Sequence, residues 1–445
     1  MSRWIAFVGV AIVWLQGFEL QVQGQTNNNT KDATLTDASL KACVQYALQH
    51  KPFVQQAVID EQITNLGIKG KLADWYPQLG FDYNVQHNFQ LPSSFANGNF
   101  IQSGALNSSA ALFSVNQTIF NKDVLLAKRS ATDVQQQAKQ NIENNKIQLV
   151  VTVSKAFYDV LLTNKQIELI HQNINRLQSS YKNAYNQYKG GIVDKIDYQR
   201  ASIALNNAQA QQKSLEELLK AKLAILKNAM GYLANNNFTL QYDTTQLEQE
   251  LNLDTAKAVN YSNRIEYQQL TTLKRLQAYN LDYYKWNYYP SVSAYGNYNL
   301  NFLNNDFAKL YGHNYPNSFM GLRLSLPIYQ GNKRVYQTRA AELALKRIDW
   351  NLLQLRSSIN TQYEQALAAY KSNLYNYQLL KDNLLLSQEV YNTIQLQYKS
   401  GIKNYLEVIT AETDLRSSQV NYTNALYQLL SAKIDVQQAL GEVRY

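Results

Sequence analysis

The sequence predicts a mainly α-helical chain with a smaller β portion. It reads as two copies of one unit, each a long antiparallel coiled-coil hairpin joined to two strands of a membrane β-barrel. Three observations predict this. The first is duplication: Tyr188-Lys189-Gly190-Gly191-Ile192 returns as Tyr398-Lys399-Ser400-Gly401-Ile402, and Asn228-Ala229-Met230-Gly231 as Gln438-Ala439-Leu440-Gly441. Upstream, Trp75-Tyr76-Pro77 is echoed by Tyr288-Tyr289-Pro290, and Gln117-Thr118-Ile119-Phe120 by Leu326-Pro327-Ile328-Tyr329. A unit this long is a two-fold internal pseudo-symmetry rather than a solenoid of short repeats. The second is a heptad series, Val153, Val160, Ile167, Ile174, Tyr181 and Tyr188, matched by Tyr363, Tyr370, Tyr377, Leu384, Tyr391 and Tyr398. Sustained 3.5-residue periodicity means coiled-coil packing, and the interval between the series keeps the same seam in both copies. The third is strict apolar-polar alternation in four short stretches, the mark of strands with one apolar and one polar face.

The elements follow in order. Met1-Ser2-Arg3 and the apolar run Trp4 to Leu15 fit a secretory signal over residues 1–24, with an N-terminal extension over 25–34. The first repeat, 35–231, opens with helical periodicity from Leu35 to Tyr76, broken only at Pro52. Pro77 then starts a strand over about 77–89, with Leu79, Phe81, Tyr83 and Val85 alternating with Asp82, Asn84 and Gln86. Ser, Asn, Gly and Pro mark 90–108 as a loop. A second strand covers about 109–120, with Ala111, Phe113 and Val115 on one face. Residues 121–188 contain neither Pro nor Gly, enough for a helix of roughly 100 Å. A tip at 189–192 breaks it, and a return helix runs to Met230. Residues 232–254 read as an inter-repeat linker. The second repeat, 255–445, gives strands over about 291–302 and 318–329 around a loop, then a hairpin with its tip at 399–402.

Composition narrows the class. With 6 Pro and 17 Gly in 445 residues, helix breakers are few, so long helices that need partners are favoured. The net charge of +9 is spread along helices opposite many carboxylates, without the concentrated patch that nucleic acid requires. Cys43 is the only cysteine, so no internal disulfide and no cysteine-based metal cluster forms. His50, His87, His171 and His313 are scattered without ligand spacing, and no nucleophile motif appears. No catalytic, cofactor or metal site is expected, and the chain does not read as an enzyme. Downstream of the leader no stretch is long and apolar enough for a membrane-spanning helix.

Four amphipathic strands cannot close a barrel, and a bilayer tolerates no open edge, so several copies must complete one barrel together. Trp75, Tyr76, Phe120, Tyr288, Tyr289 and Tyr329 fall where strands meet helices, the level of an interfacial aromatic girdle facing membrane lipid.

The doubled Tyr-Lys-x-Gly-Ile tip, the terminal Met/Leu-Gly of each half and the strand-loop-strand before each long helix resemble the outer-membrane efflux protein (TolC) family. The resemblance runs from about Leu35 to Val443. It implies a homotrimer in which each chain gives four strands to a 12-stranded outer-membrane barrel, continued by a periplasmic α-helical barrel of coiled-coil hairpins. It also implies a tunnel component of a tripartite efflux or type I secretion system, docked on a periplasmic adaptor protein and coupled to an inner-membrane efflux pump or ABC transporter. It places Gly190, Gly191, Ile192, Gly401 and Ile402 at adaptor-docking tips. Asp197, Tyr398, Lys403 and Glu407 fall at gate positions of the tunnel mouth, while Thr410 stands where other members carry a carboxylate. Charge-assisted hydrogen bonds among these residues would hold a narrow throat, and a Glu407 ring would attract cations. A non-conducting periplasmic coiled-coil spacer or surface adhesin is the alternative from the same helical signal. Three Met and one Cys leave little for a soft-metal route.

Overall fold

Length without helix breakers produces the two longest elements. The computed structural model describes residues 37–443 apart from 97, 237, 242, 243 and 250. The expected leader at 1–24 and extension at 25–34 lie outside the described residues. The chain opens with β1 (Asp37–Ala38), α1 (Leu40–His50) and α2 (Pro52–Ala73), where Ser39 Oγ accepts from the Ala42 N–H at the N-cap of α1 and Pro52 begins α2. Proline at the first helical position costs nothing, because that N–H has no partner in any case. Next come β2 (Gln78–His87), β3 (Ser93–Ala96), β4 (Asn99–Gln102) and β5 (Asn107–Phe120), then α3 (Lys122–Lys189) and α4 (Lys195–Met230). The segment between repeats holds β6 (Thr239–Leu240), which pairs in parallel with β1, and α5 (Thr244–Gln249). The second half follows as α6 (Ile265–Lys285), β7 (Ser291–Asn304), β8 (Asn314–Ser325), α7 (Lys333–Lys399) and α8 (Tyr405–Leu440). Among the described residues, no helix is long and apolar enough to cross a membrane.

Each long helix carries two shorter ones laid end to end. Against the 68 residues of α3 pack α2, with 22 residues, and α4, with 36; α6 and α8 pack against α7 in the same way. The joints explain the repeated glycines. Gly231 ends α4 with φ 71°, and a Cβ there would meet the His50 carbonyl oxygen at 3.2 Å, where α1 gives way to α2. Gly441 ends α8 with φ 72°, and its Cβ would sit 2.6 Å from the Asn263 carbonyl oxygen, just before α6. Beside this second joint, buried Arg264 donates to the Ala439 carbonyl at 3.0 Å and pairs with Glu266.

Four heptad positions of α7, Tyr363, Tyr370, Tyr377 and Tyr391, are buried, and the hydroxyls of the first two find acceptors in the segment between repeats. Tyr363 donates to the Lys257 carbonyl at 2.7 Å, and Tyr370 to the Leu251 carbonyl at 2.7 Å. Glu248 of α5 accepts from Lys381 of α7 and from Tyr422 of α8. These two donors hold its carboxyl below the usual range. The segment 244–257 therefore straps the second hairpin. Nearby, Cys43 is buried and its thiol is pushed up to about 12 by desolvation, which leaves it inert.

The main sheet has the order β2-β5-β7-β8, antiparallel throughout. Its register sets Phe81 opposite Phe113, Phe113 opposite Tyr298, and Ala294 opposite Leu322, so one face gathers the apolar series of all four strands. Residues on that face are open to the surroundings, Leu79 at 82% and Met320 at 87%. The other face carries Asp82, Asn84, Ser114, Asn297, Asn299, Asn301 and Arg323. The fourth strand starts earlier than alternation alone places it. It begins at Asn314, since β7 offers backbone partners as far as Phe302, and stops at Ser325 before Leu326-Pro327, because Pro327 has no N–H to extend a ladder. Pro316 is tolerated inside it because β8 is an edge strand. Within the expected 90–108 loop, β3 and β4 form a short hairpin closed by Phe95 against Phe100.

The joints give the first testable outcome. Gly441→Ala should lose about 1–2 kcal/mol to the left-handed backbone and a further ~1–3 kcal/mol to the overpacked contact. Gly401→Ala, with φ 76° but open space around it, should lose only the first of these. Thermal melts of the two variants followed by circular dichroism check the order.

Candidate functional site

The end of the molecule remote from the sheet is built by two near-identical tips. After α3, Gly191 takes φ 70°, the Gly191 N–H bonds the Tyr188 carbonyl, and the Ile192 N–H reaches back to the Gln187 carbonyl at 2.9 Å. After α7, Gly401 takes φ 76°, with Gly401 to Tyr398 and Ile402 to Gln397 bonds at matching distances. Closing a helix this way needs a residue in the left-handed region, which explains the glycine in both copies. Asp194 then caps α4 and Asn404 caps α8, accepting from the Ile196 and Glu407 N–H groups. Each turn leaves one large apolar side chain outside, Ile192 at 75% exposure and Ile402 at 71%. Gly190 sits beside Gly191 in the first turn, in the place that Ser400 takes in the second.

The four residues expected at the mouth lie around these tips, Tyr398 in the last turn of α7 and the other three after the glycines. Lys403, just before α8, pairs with Glu407 in its first turn at 2.6 Å. Tyr398 donates to Gln187 Oε1 at 3.2 Å, so the two tips are tied to each other. Asp197 lies in the first turn of α4, where the helix N-terminus favours its charge, and no ion pair forms at its carboxylate among the described residues. Within one protomer Lys403 and Asp197 thus have separate environments.

Further from the tips lies a polar knot absent from the expected site. Glu412 of α8 is only 3% exposed, yet it accepts from Arg176 Nε and from Asn173 Nδ2 of α3, each at 3.0 Å. Arg176 also lies over the Tyr391 ring at 5.9 Å. One pair thereby ties the first hairpin to the second. Beside it is a cavity of about 380 Å³ lined by Arg176, Ser179, Ser180, Tyr391, Tyr398 and Tyr405. Arg176 Nη2 and Asn173 Oδ1 have no protein partner there. Burial pushes the Glu412 carboxyl above its ordinary range, opposed by Arg176 and Asn173, and burial likewise raises Tyr405. The duplication carried a usable signal: the repeat positions matching Arg176 and Glu412 hold Leu386 and Ser202, so this charge pair has no counterpart.

At the opposite end, the expected girdle residues cluster where strands meet helices. Tyr76, Tyr288, Tyr289 and Tyr329 are exposed, and Phe120 meets Tyr289 edge-on at 6.5 Å. Lys128 lies over Trp75 and Arg334 over Tyr288, cations placed against ring faces. Among the described residues, no group of His, Cys, Asp and Glu side chains is arranged to hold a metal ion.

The knot yields a second outcome. Arg176→Leu strands a buried carboxylate and should cost about 3–5 kcal/mol at neutral pH. With the Glu412 pKa raised, the neutral acid is the form the fold prefers. Its stabilisation is full below the unfolded-state carboxyl pKa and is lost as pH rises through the raised value. The Arg176→Leu deficit should therefore shrink as pH falls from about 8 to about 5. Adding Glu412→Leu should recover most of the loss. Melting temperatures across that range check both points.

With this geometry established, the relatives can be placed. The family described as "Outer membrane efflux protein" matches residues 43–232 and 275–442, one stretch in each repeat. The alkaline protease secretion protein AprF of Pseudomonas aeruginosa is 18% identical over 399 residues, covering 87% of this chain and 81% of that protein. The outer membrane protein TolC of Vibrio cholerae is 20% identical over 380 residues, covering 82% of each. Among solved structures, the outer membrane protein VceC of Vibrio cholerae superposes with a TM-score of 0.72 at 13% identity, over 90% of this chain and 96% of that one. With both repeats matched, and the strand and helix order shared along the chain, the protein belongs to the outer membrane efflux protein family.

Proposed function

We propose that three copies of this chain close a 12-stranded outer-membrane barrel continued by a helical tunnel, and that the assembly passively conducts cargo outward in an efflux or type I secretion system. The observation that carries the reading is the open sheet. It has an apolar face for lipid, a polar face for a lumen, and two unpaired edges, β2 and β8, which no bilayer tolerates. An adhesin or spacer has no use for such a sheet.

The internal pseudo-symmetry supplies the seam. The pairing of β2 with β5 reproduces that of β7 with β8, Phe81–Phe113 corresponding to Ala294–Leu322. The observed pairing of β5 with β7 therefore serves as the template for β8 of one protomer meeting β2 of the next. Transferring Phe113–Tyr298 sets Leu322 opposite Val85 of the partner subunit, and Val115–Gly296 sets Leu324 opposite Tyr83 of the partner subunit. The alternating apolar series Leu79, Phe81, Tyr83 and Val85 and Met320, Leu322 and Leu324 then stay on the lipid face.

At the other end the tips Gly190, Gly191, Ile192, Gly401 and Ile402 would dock a periplasmic adaptor, whose inner-membrane pump delivers the cargo. The two exposed isoleucines suit such a contact. Asp197, Tyr398, Lys403 and Glu407 would narrow the mouth, with an unpaired Asp197 available to a neighbouring protomer. Outer-membrane lipid would meet the Trp75, Tyr76, Phe120, Tyr288, Tyr289 and Tyr329 level.

Two measurements test this. Val85→Cys combined with Leu322→Cys should crosslink on oxidation into a ladder ending at three copies, because directly opposed Cβ atoms lie about 4.5–5.5 Å apart. A chain that never passes the monomer would contradict the assembly. In planar bilayers the purified protein should conduct. Glu407→Gln should weaken block by divalent cations, and Asp197→Ala with Lys403→Ala should raise resting conductance more than either alone. Each exposed pair contributes only ~0–1 kcal/mol, so several must act together. Absence of conductance from an intact oligomer would favour the spacer reading.

A further inference from the structure

The four strands of the main sheet carry one carboxylate, Asp82, and one guanidinium, Arg323, among otherwise neutral side chains and a single histidine. Both point to the polar face, and they stand on opposite edges of the sheet, Asp82 on β2 and Arg323 on β8. Inside one protomer they are separated by the two central strands and cannot meet. Arg323 is nevertheless held in place. Its guanidinium lies 5.2 Å over the Tyr295 ring, and that ring lies across Gly321, where an added Cβ would meet the Tyr295 hydroxyl oxygen at 2.9 Å. Glycine at 321 thus lets the tyrosine lie against the wall and present its face to the cation. The other side of Arg323 faces the open edge.

The seam register inferred above from the internal repeat brings the two charges together. Transferring Ser114–Asn297 sets Arg323 opposite Asn84 of the partner subunit, and Asn116–Tyr295 sets Ser325 opposite Asp82 of the partner subunit. Arg323 and Asp82 of the partner subunit then become diagonal neighbours on one face, about 7–8 Å apart at the backbone and within reach of a long side chain. We propose that Arg323 pairs with Asp82 of the partner subunit on the lumen wall at each seam, and that this pair disfavours the register slip that would carry the two residues apart. The inference rests on the trimeric barrel proposed above.

The physical need for such a pair is specific. A slip of one residue would turn every apolar side chain into the lumen and is forbidden by burial alone. A slip of two residues keeps each side chain on its proper face, so the apolar pattern does not exclude it. Of the two such slips, one sets Arg323 directly opposite Asp82 of the partner subunit, while the other sets it opposite Gln86 of the partner subunit and leaves both charges among amides, so the pair discriminates against the second. A lumen-facing pair is water-exposed and adds little stability by itself. Its effect lies in discriminating between registers, and it acts three times in one assembly. An unpaired charge on each edge also discourages unrelated sheets from adding to it before assembly.

The test is a charge exchange in the full-length protein. Asp82→Lys and Arg323→Glu should each lower the temperature at which the trimer comes apart in dodecyl sulfate, and the double variant should recover most of the loss. Where a single variant fails to assemble, oxidation reports the register instead. Val85→Cys with Leu322→Cys should lose most of its crosslinking in the Asp82→Lys background, and Val85→Cys with Leu324→Cys, two residues out of register in the direction that separates the two cations, should gain it. Cys43 is fully buried and contributes no background. A trimer indifferent to either single change, or a double variant as weak as the two losses combined, overturns the pair. A wild-type chain that stays monomeric overturns the trimer itself and the pair with it.

Discussion

Backbone hydrogen bonding without water is the constraint on which the rest of this structure depends. A strand exposed to hydrocarbon must pair on both sides, since each unpaired N–H or C=O there costs several kcal/mol. This chain gives four strands, pairs three interfaces among them, and leaves β2 and β8 open. Its side chains repeat the demand, with an apolar face too exposed for water and an amide-rich face unsuited to lipid. The protomer's sheet is therefore incomplete as a membrane object, and another copy of the chain is the surface we propose to complete it. The edge geometry that joins the two halves within a chain is the template for that contact.

The helices meet a different constraint, that of length. An α3 helix of roughly 100 Å cannot be held by one ordinary partner. The chain solves this by stacking two shorter helices along it, and the cost is a joint where backbones come close. Gly231 and Gly441 stand at those joints, supplying the left-handed turn and the missing Cβ together. The second half adds the strap at 244–257, whose carbonyls satisfy Tyr363 and Tyr370. The tips end the other way, in open turns with exposed isoleucines, so that the sheet end faces lipid and the tip end presents an apolar contact. The Arg176–Glu412 pair links the two hairpins between these extremes.

Features set by local chemistry were legible in the sequence. Helix length, the glycine turns and the strand faces all follow from periodicity or from what one residue can do. The start of β8 was not, because Asn314, Tyr315 and Pro316 have loop-like composition and are drawn into a strand by the partners that β7 provides. The tyrosine heptad has the period of a coiled-coil seam, but the Tyr363 and Tyr370 hydroxyls need acceptors, and those come from a segment with no periodicity. Arg176 and Glu412 stayed hidden because the elements carrying them are joined only by the fold. Their departure from the repeat was the trace they left. Of the expected mouth residues, Lys403 just before α8 pairs with Glu407 in its first turn, and no ion pair forms at the Asp197 carboxylate among the described residues.

If other copies close the open edges of the sheet, those edges are as well protected as its centre. Amide hydrogen exchange on the detergent-purified protein tests it most directly. If β2 and β8 are seams, the amides of Gln78–His87 and Asn314–Ser325 exchange as slowly as those of the central strands β5 and β7. Rapid exchange along the outward side of β2 and β8, with β5 and β7 protected, would contradict it.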